Sequence, residues 1–260
     1  DPSTPAPDLA SRAPLARRLL AELVGTGLLV ATVIGSGIAA QQLSPGETGL
    51  QLLQNSITTV FGLGVLILLF GPVSGAHFNP VVSAVDWLLG RRQGIGLTGL
   101  DTVAYTVVQV AGGFVGALLA NVMFDLPAVQ ISDHVRSGVG LWVGEVVATA
   151  GLLAVIVALA RTGRASLSAA AVASWIGAAY WFTSSTSFAN PAVTVARMFS
   201  DTFAGISPAS VPLFIVFQIV GATLGTALVV TLYPDAPQAA DAVVVPHDTR
   251  PRRAGERTIR

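Results

Sequence analysis

Long apolar runs dominate this chain, and its charged positions fall almost entirely between them. Six runs are long enough to cross a bilayer, at roughly 15–41, 50–71, 98–124, 138–160, 166–184 and 209–232. Periodicity alone does not separate a helix buried in a protein core from one buried in lipid. Six such runs joined by short connections predict an all-α polytopic membrane protein rather than soluble domains.

Two shorter segments interrupt the pattern: SGAHFNPVVSAVDWLLG at 74–90 and SFANPAVTVARMF at 187–199. Each leads through small or polar residues into Asn-Pro and then about ten helix-compatible residues, too few to span a membrane at 1.5 Å per residue. Asn is a favoured helix cap, and Pro is well placed in a first turn where its missing N–H was unpaired anyway. Each segment therefore reads as a loop entering a half-helix.

The halves repeat one another. Asn79 and Asn190 lie 111 positions apart; Gln109-x-x-Gly112-x-x-x-Gly116 recurs as Gln218-x-x-Gly221-x-x-x-Gly225; and Glu22 in AELVGTGLLVAT is matched by Glu145 in GEVVATAGLLAV. The repeats cover about 14–124 and 138–232. Three spans per repeat is an odd number, so the second copy enters from the opposite face and the repeat is inverted. The half-helices then meet with their positive N-terminal ends near the bilayer centre, where non-helical backbone is tolerated only if it lines a cavity or is buried in protein. The spacing thus predicts pore architecture. The two Gly-x-x-x-Gly faces predict close helix crossings within one protomer.

Composition agrees: 52% apolar, 11% charged, mean hydropathy +0.70. All fourteen cations are Arg and balance fourteen acids, which leaves no basic stripe for nucleic acid. There is no Cys, and His77, His134 and His247 are scattered without metal-ligand spacing. No nucleophile with a paired base stands out, so neither an enzyme, a metal nor a cofactor is expected. With both ends inside, twelve arginines fall on the cytoplasmic side and only Arg136 and Arg197 on the other, which sets the expected orientation in the cell membrane. The polar, Pro-rich leader lacks the form of a cleavable signal, and the first span is expected to target the chain. Residues 1–13 and 234–260 read as disordered cytoplasmic tails flanking one channel domain at 14–233.

At these residues the chain resembles the aquaporin, or major intrinsic protein, family, over about residues 15–232: six helices, two re-entrant half-helices, paired Asn-Pro-Ala motifs and a Glu in the first and fourth spans. The resemblance implies a passive channel for small neutral solutes, assembled in the lipid bilayer as a homotetramer with one pore per subunit. It implies motif residues Asn79, Pro80, Val81 and Asn190, Pro191, Ala192, with both Asn amides donating into the lumen. It further implies a ladder of carbonyl acceptors from Gly75, Ala76, His77, Ser187, Phe188 and Ala189, and loop-bracing by Glu22 and Glu145. A rival reading of the two Glu is a proton relay in a coupled transporter.

Two departures from the family pattern stand out. Val81 replaces Ala in the first motif, and Val193 stands where most members carry an Arg at the narrow outer constriction. Counting back from the two Asn as family members do places the constriction at Thr59, Ala178, Ser187 and Val193, with Gly177 as the alternate to Ala178. That ring has no aromatic and no charge, which favours glycerol-sized solutes over water alone; a water-selective channel is the alternative. Arg197, one turn beyond Val193, is either a displaced filter charge or a surface Arg linked to Asp201. The stretch 190–206 resembles the branch associated with bacterial arsenic-resistance operons, which implies uncharged metalloid hydroxides such as arsenite as solutes. Nearer the cytoplasm, Asp86 or Asp101 is expected to pair with Arg91 or Arg92, and His77 to be a packed neutral imidazole rather than a pH sensor.

Overall fold

The computed structural model describes residues 13–92 and 94–234. The tails expected at 1–13 and 234–260 lie, apart from Ala13 and Pro234, outside the described residues. Among the described residues the chain is helical throughout: α1 (Leu15–Leu43), α2 (Thr48–Ser74), α3 (Pro80–Gly90), α4 (Gly99–Met123), α5 (Val139–Arg161), α6 (Ser168–Phe182), α7 (Pro191–Ala196) and α8 (Val211–Leu232), with short 3-10 turns before α6, after α7 and before α8. Six spans are long and apolar enough to cross a membrane, α1, α2, α4 and α5 by themselves and α6 and α8 together with the 3-10 turns that lead into them.

The short helices start where the Asn-Pro pairs place them. Asn79 is extended at φ −154° and its Oδ1 accepts from Val81 N–H; Asn190 is extended at φ −157° and accepts from Ala192 and Val193 N–H. In both, Pro fills the first helical position, where no N–H is needed. α7 is only six residues long and passes into a 3-10 turn at Arg197–Phe199, whereas α3 runs for eleven.

Two glycine-mediated crossings tie each half together. A Cβ added at Gly112 or Gly116 of α4 would overlap the carbonyls of Leu23 or Gly27 on α1. In the second half, Gly221 and Gly225 of α8 lie against the carbonyls of Val146 and Ala150 on α5 in the same way. Lipid offers no hydrophobic drive to bring helices together, so backbone approach of this kind supplies the packing contacts instead. Outward faces carry large apolar side chains such as Phe61, Leu68, Val107 and Leu224, all more than half exposed, as a surface solvated by hydrocarbon requires.

The interfacial acids find partners other than those expected. Asp101 pairs with Arg18 at 3.1 Å, and Asp86 Oδ2 accepts from Leu97 N–H at 2.7 Å. The pairing follows from α4 packing beside α1, which brings Asp101 to the Arg18 turn, while Arg91 lies over the Trp87 ring at 5.5 Å.

Candidate functional site

The two loops that enter the half-helices share one backbone shape. Gly75, Ala76 and Phe78 have φ of 87°, 48° and 49°, and their counterparts 111 positions on, Thr186, Ser187 and Ala189, have 60°, 56° and 49°. Five of these six are non-glycine residues in a left-handed region that costs each of them conformational energy. Buried carboxylates hold them there. Glu22 Oε1 accepts from His77 N–H (2.9 Å) and Ser74 Oγ (2.6 Å), and Oε2 from Phe78 N–H (2.7 Å) and Gln109 Nε2 (2.8 Å). Glu145 repeats the pattern, accepting from Phe188 N–H, Ala189 N–H (both 2.9 Å) and Gln218 Nε2 (2.6 Å), with Ser185 alongside. Gln109 also reaches Ser83, and Gln218 reaches Thr194, which stand 111 positions apart.

Where the half-helices meet, each Asn amide crosses to the other loop. Asn79 Nδ2 donates to Ala189 O at 2.8 Å, and Asn190 Nδ2 donates to Phe78 O at 2.7 Å. With each Oδ1 occupied as a helix cap, the orientation of both amides is fixed, and the second N–H of each remains for whatever occupies the adjoining cavity. Both Asn residues border that cavity, which runs between the half-helices and is walled by aliphatic side chains in symmetric pairs: Leu29 with Leu152, Val33 with Ile156, Leu63 with Val172, and Ile67 with Ile176. One polar line therefore faces a greasy wall.

Ala76, His77, Ser187, Phe188 and Ala189 of the expected carbonyl ladder border the cavity, and Gly75 does not. The symmetry also redraws the ladder: Ala189 is the counterpart of Phe78, and its carbonyl is taken by the Asn79 amide. His77 is buried, with Nδ1 3.0 Å from Ser83 Oγ and its ring edge-on to Tyr105.

Thr59, Ser187 and Val193 all border the cavity, at its mouth. Ala178 and its alternate Gly177 do not. Both line a groove on the outer surface beside Phe61 and Trp181. The cavity face of α6 is instead Val172, Ile176 and Tyr180, spaced by one turn each. Tyr180 is the residue the sequence reading missed, and its OH lies 3.1 Å from Thr59 Oγ1. The ring is therefore not free of aromatics.

Nor is it free of charge. Arg197 is 2% exposed and borders the cavity, so it is not a surface residue. Its Nε donates to the Ala204 carbonyl, and its guanidinium carbon lies 3.4 Å from the centre of the Phe188 ring. Asp201, the partner expected for it, accepts from Asp133 N–H instead. A second cation stands behind: the Arg136 guanidinium lies 5.1 Å from the same ring and donates to the carbonyls of Gly205 and Phe203. Burial brings the Arg136 pKa down to about 10, which still leaves it charged at neutral pH. The irregular segment that carries it is fastened over the mouth by Ser132 N–H to Met198 O and Ser207 N–H to His134 O, each at 2.8 Å. Burial and the two arginines lower the pKa of His134 in that segment.

Residues 9–185 match the Major intrinsic protein family. Over 214 residues, 82% of this chain and 89% of the relative, the sequence is 49% identical to aquaglyceroporin AqpS of Rhizobium meliloti (strain 1021). It is 32% identical to the glycerol uptake facilitator protein of Pseudomonas aeruginosa, over 55% of this chain and 57% of that protein. It is 34% identical to aquaporin Z of Photorhabdus laumondii, over 47% and 49% of the respective lengths. The fold is also that of the aquaglyceroporin from Plasmodium falciparum, with a TM-score of 0.58 at 19% identity, covering 88% of this chain and 99% of that one. By family match and by extended identity alike, this chain belongs to the major intrinsic protein family.

Proposed function

We propose that the cavity is a passive conduit for compact, uncharged, polyhydroxylated solutes, glycerol foremost, with water and metalloid hydroxides such as arsenite as further cargo. The observation that carries this reading is the waist. Two amides with fixed orientation offer only N–H donors there, opposite walls of Leu, Val and Ile. A solute with oxygen acceptors on one side and little to lose on the other is accommodated; a cation meets donors and two positive half-helix ends. The names of two relatives, an aquaglyceroporin and a glycerol uptake facilitator, point the same way.

The constriction supports this in a different way from the open, uncharged ring read from the sequence. Tyr180 and Val193 present apolar surface, while Thr59 and Arg197 present polar groups, a pairing suited to an alkyl backbone bearing hydroxyls. The same Tyr180 and Arg197 also favour the second reading, a pore narrowed to water. Stopped-flow swelling of proteoliposomes decides between them. Glycerol influx well above that of protein-free liposomes is expected; water flux without glycerol flux would replace this reading with the narrower one. Arsenite uptake into the same vesicles tests the metalloid assignment separately.

In the cell this reading places both chain ends in the cytoplasm, supported by the twelve-to-two distribution of arginines. It also carries a homotetramer with one pore per subunit, and Glu22 and Glu145 as loop braces rather than a relay, since each is saturated by loop N–H and side-chain donors.

A further inference from the structure

The two re-entrant loops are braced alike but are not surrounded alike. In each, a loop residue meets an aromatic ring four positions before the bracing Gln: His77 lies edge-on to Tyr105 with ring centres 5.5 Å apart, and its counterpart Phe188 lies edge-on to Phe214 at 5.1 Å. Around Phe214 the packing is apolar, with Ile206, Leu141 and Trp142. Around Tyr105 it is polar. The Tyr105 OH donates to the Ser74 carbonyl at 3.0 Å, the guanidinium carbon of Arg18 lies 5.8 Å from its ring centre, and Arg18 pairs with Asp101 at 3.1 Å. Arg18 and Asp101 stand one helical turn before Glu22 and Tyr105, whereas the residues one turn before Glu145 and Phe214 are Leu141 and Ser210. The second half therefore does without the hydroxyl, the cation and the acid. Helix ends explain where the hydroxyl is used. α2 runs on to Ser74, while α6 stops at Phe182, three residues short of Ser185, the counterpart of Ser74. The last carbonyls of a helix lack partners inside it, and Tyr105 supplies one to Ser74. Ser74 also starts the loop: its Oγ donates to Glu22 and accepts from Ala76 N–H at 3.1 Å, and Ala76 and His77 border the cavity. Tyr105 is fully buried and does not border the cavity itself.

We propose that Tyr105, held by the Arg18–Asp101 pair, is a positioning residue for conduction: it fixes the end of α2 and, through Ser74, the left-handed turn that presents the Ala76 and His77 backbone to a passing solute. The first loop is thereby wired to an ion pair at the end of α1 and the start of α4, and the second loop has no such connection. Phe214 shows that the fold accepts a phenyl ring at the matching position, so the Tyr105 hydroxyl serves the loop rather than the packing. The strain of Ala76 at φ 48° gives the loop a reason to relax once the Ser74 carbonyl is released. This inference rests on the conduction reading above.

The test uses the full-length protein in proteoliposomes, with glycerol and water flux each measured per folded protein. The variants give the first half the residues of the second, Tyr105→Phe and Arg18→Leu, singly and together, with Arg18→Lys as the conservative replacement. Tyr105→Phe is expected to lower glycerol influx about three- to tenfold, the factor that one lost hydrogen bond supports, and to lower water flux in the same direction. Arg18→Leu should do likewise and Arg18→Lys should restore most of the flux. Because Arg18 acts through Tyr105, the double variant should be no slower than Tyr105→Phe alone. Wild-type flux per folded protein in Tyr105→Phe, an Arg18→Lys variant as slow as Arg18→Leu, or effects that multiply in the double variant would each overturn the assignment. Arg18→Leu with wild-type flux would overturn it even if Tyr105→Phe did not fold, and failure of every variant to fold would make the chain of contacts a stability element and overturn it equally. A wild type that passes water but no glycerol would instead contradict the conduction reading, with the water flux of the same variants still reporting on Tyr105.

Discussion

Tyr180 and Ala178 sit two positions apart on α6 and face opposite ways, one toward the lumen and the other toward the outer surface. Two residues on a helix are 200° apart, so an error of two in counting exchanges the inside for the outside. Ala178→Phe is therefore expected to leave the solute profile unchanged in vesicle swelling. Tyr180→Ala removes the ring and its hydrogen bond to Thr59, and it should admit five-carbon polyols that the wild type excludes; an unchanged cut-off would place the constriction elsewhere. The residues legible in the sequence were those whose chemistry is anomalous for a span: Glu22, Glu145, Asn79, Asn190 and the two Gln. Tyr180 was not legible, because the motif does not fix the length of the connection from α6 to Asn190. The repeat offered a remedy. Ile67 and Ile176 lie 109 positions apart, as Gln109 and Gln218 do, and one further turn from Ile176 reaches Tyr180.

At the level of elements, boundaries were legible because apolar runs and Asn-Pro caps agree, except that α2 continues through Pro72 to Ser74, past the end of its apolar run. What could not be read was the early end of α7, where the backbone tightens at Arg197 so that its side chain turns back onto Phe188. Surface linkage of Arg197 to Asp201 was a fair expectation from spacing, but the 125–138 segment occupies Asp201 and covers the site. The Gly-x-x-x-Gly faces were legible in kind and correct in use, as crossings inside the protomer. Their energetic weight is large, since a side chain there meets a backbone carbonyl that cannot swing aside. Gly116→Leu and Gly225→Leu are each expected to destabilise the fold by about 3 kcal/mol or more, the upper range for overpacking. The check is the thermal unfolding midpoint in detergent, with Gly140→Leu, whose added Cβ meets only Ser184 Oγ at 3.9 Å, as the control. Equal midpoints for all three would show that α1–α4 and α5–α8 do not cross at these glycines.

For the molecule as a whole, the inverted repeat explains why one site is built from two distant segments. Every brace occurs twice: a carboxylate, a Gln, a hydroxyl and a capped Asn from each half. The symmetry breaks at the mouth, where Tyr180, Phe188 and Arg197 gather with Arg136, and the first half offers Gly71, His77 and Asp86 at the positions corresponding to the first three. On the proposed reading, selectivity belongs to that asymmetric end and the duplicated centre supplies the path. The most direct measurement is therefore glycerol influx through wild type and Val193→Arg in matched proteoliposomes. Val193 borders the lumen beside Ser187, so an arginine there should fill the remaining space. Rapid influx through the wild type, reduced to near the protein-free rate in the variant while some water flux persists, is the result predicted. Influx undiminished in Val193→Arg would mean that solute does not pass between the half-helices, and the central account would be wrong.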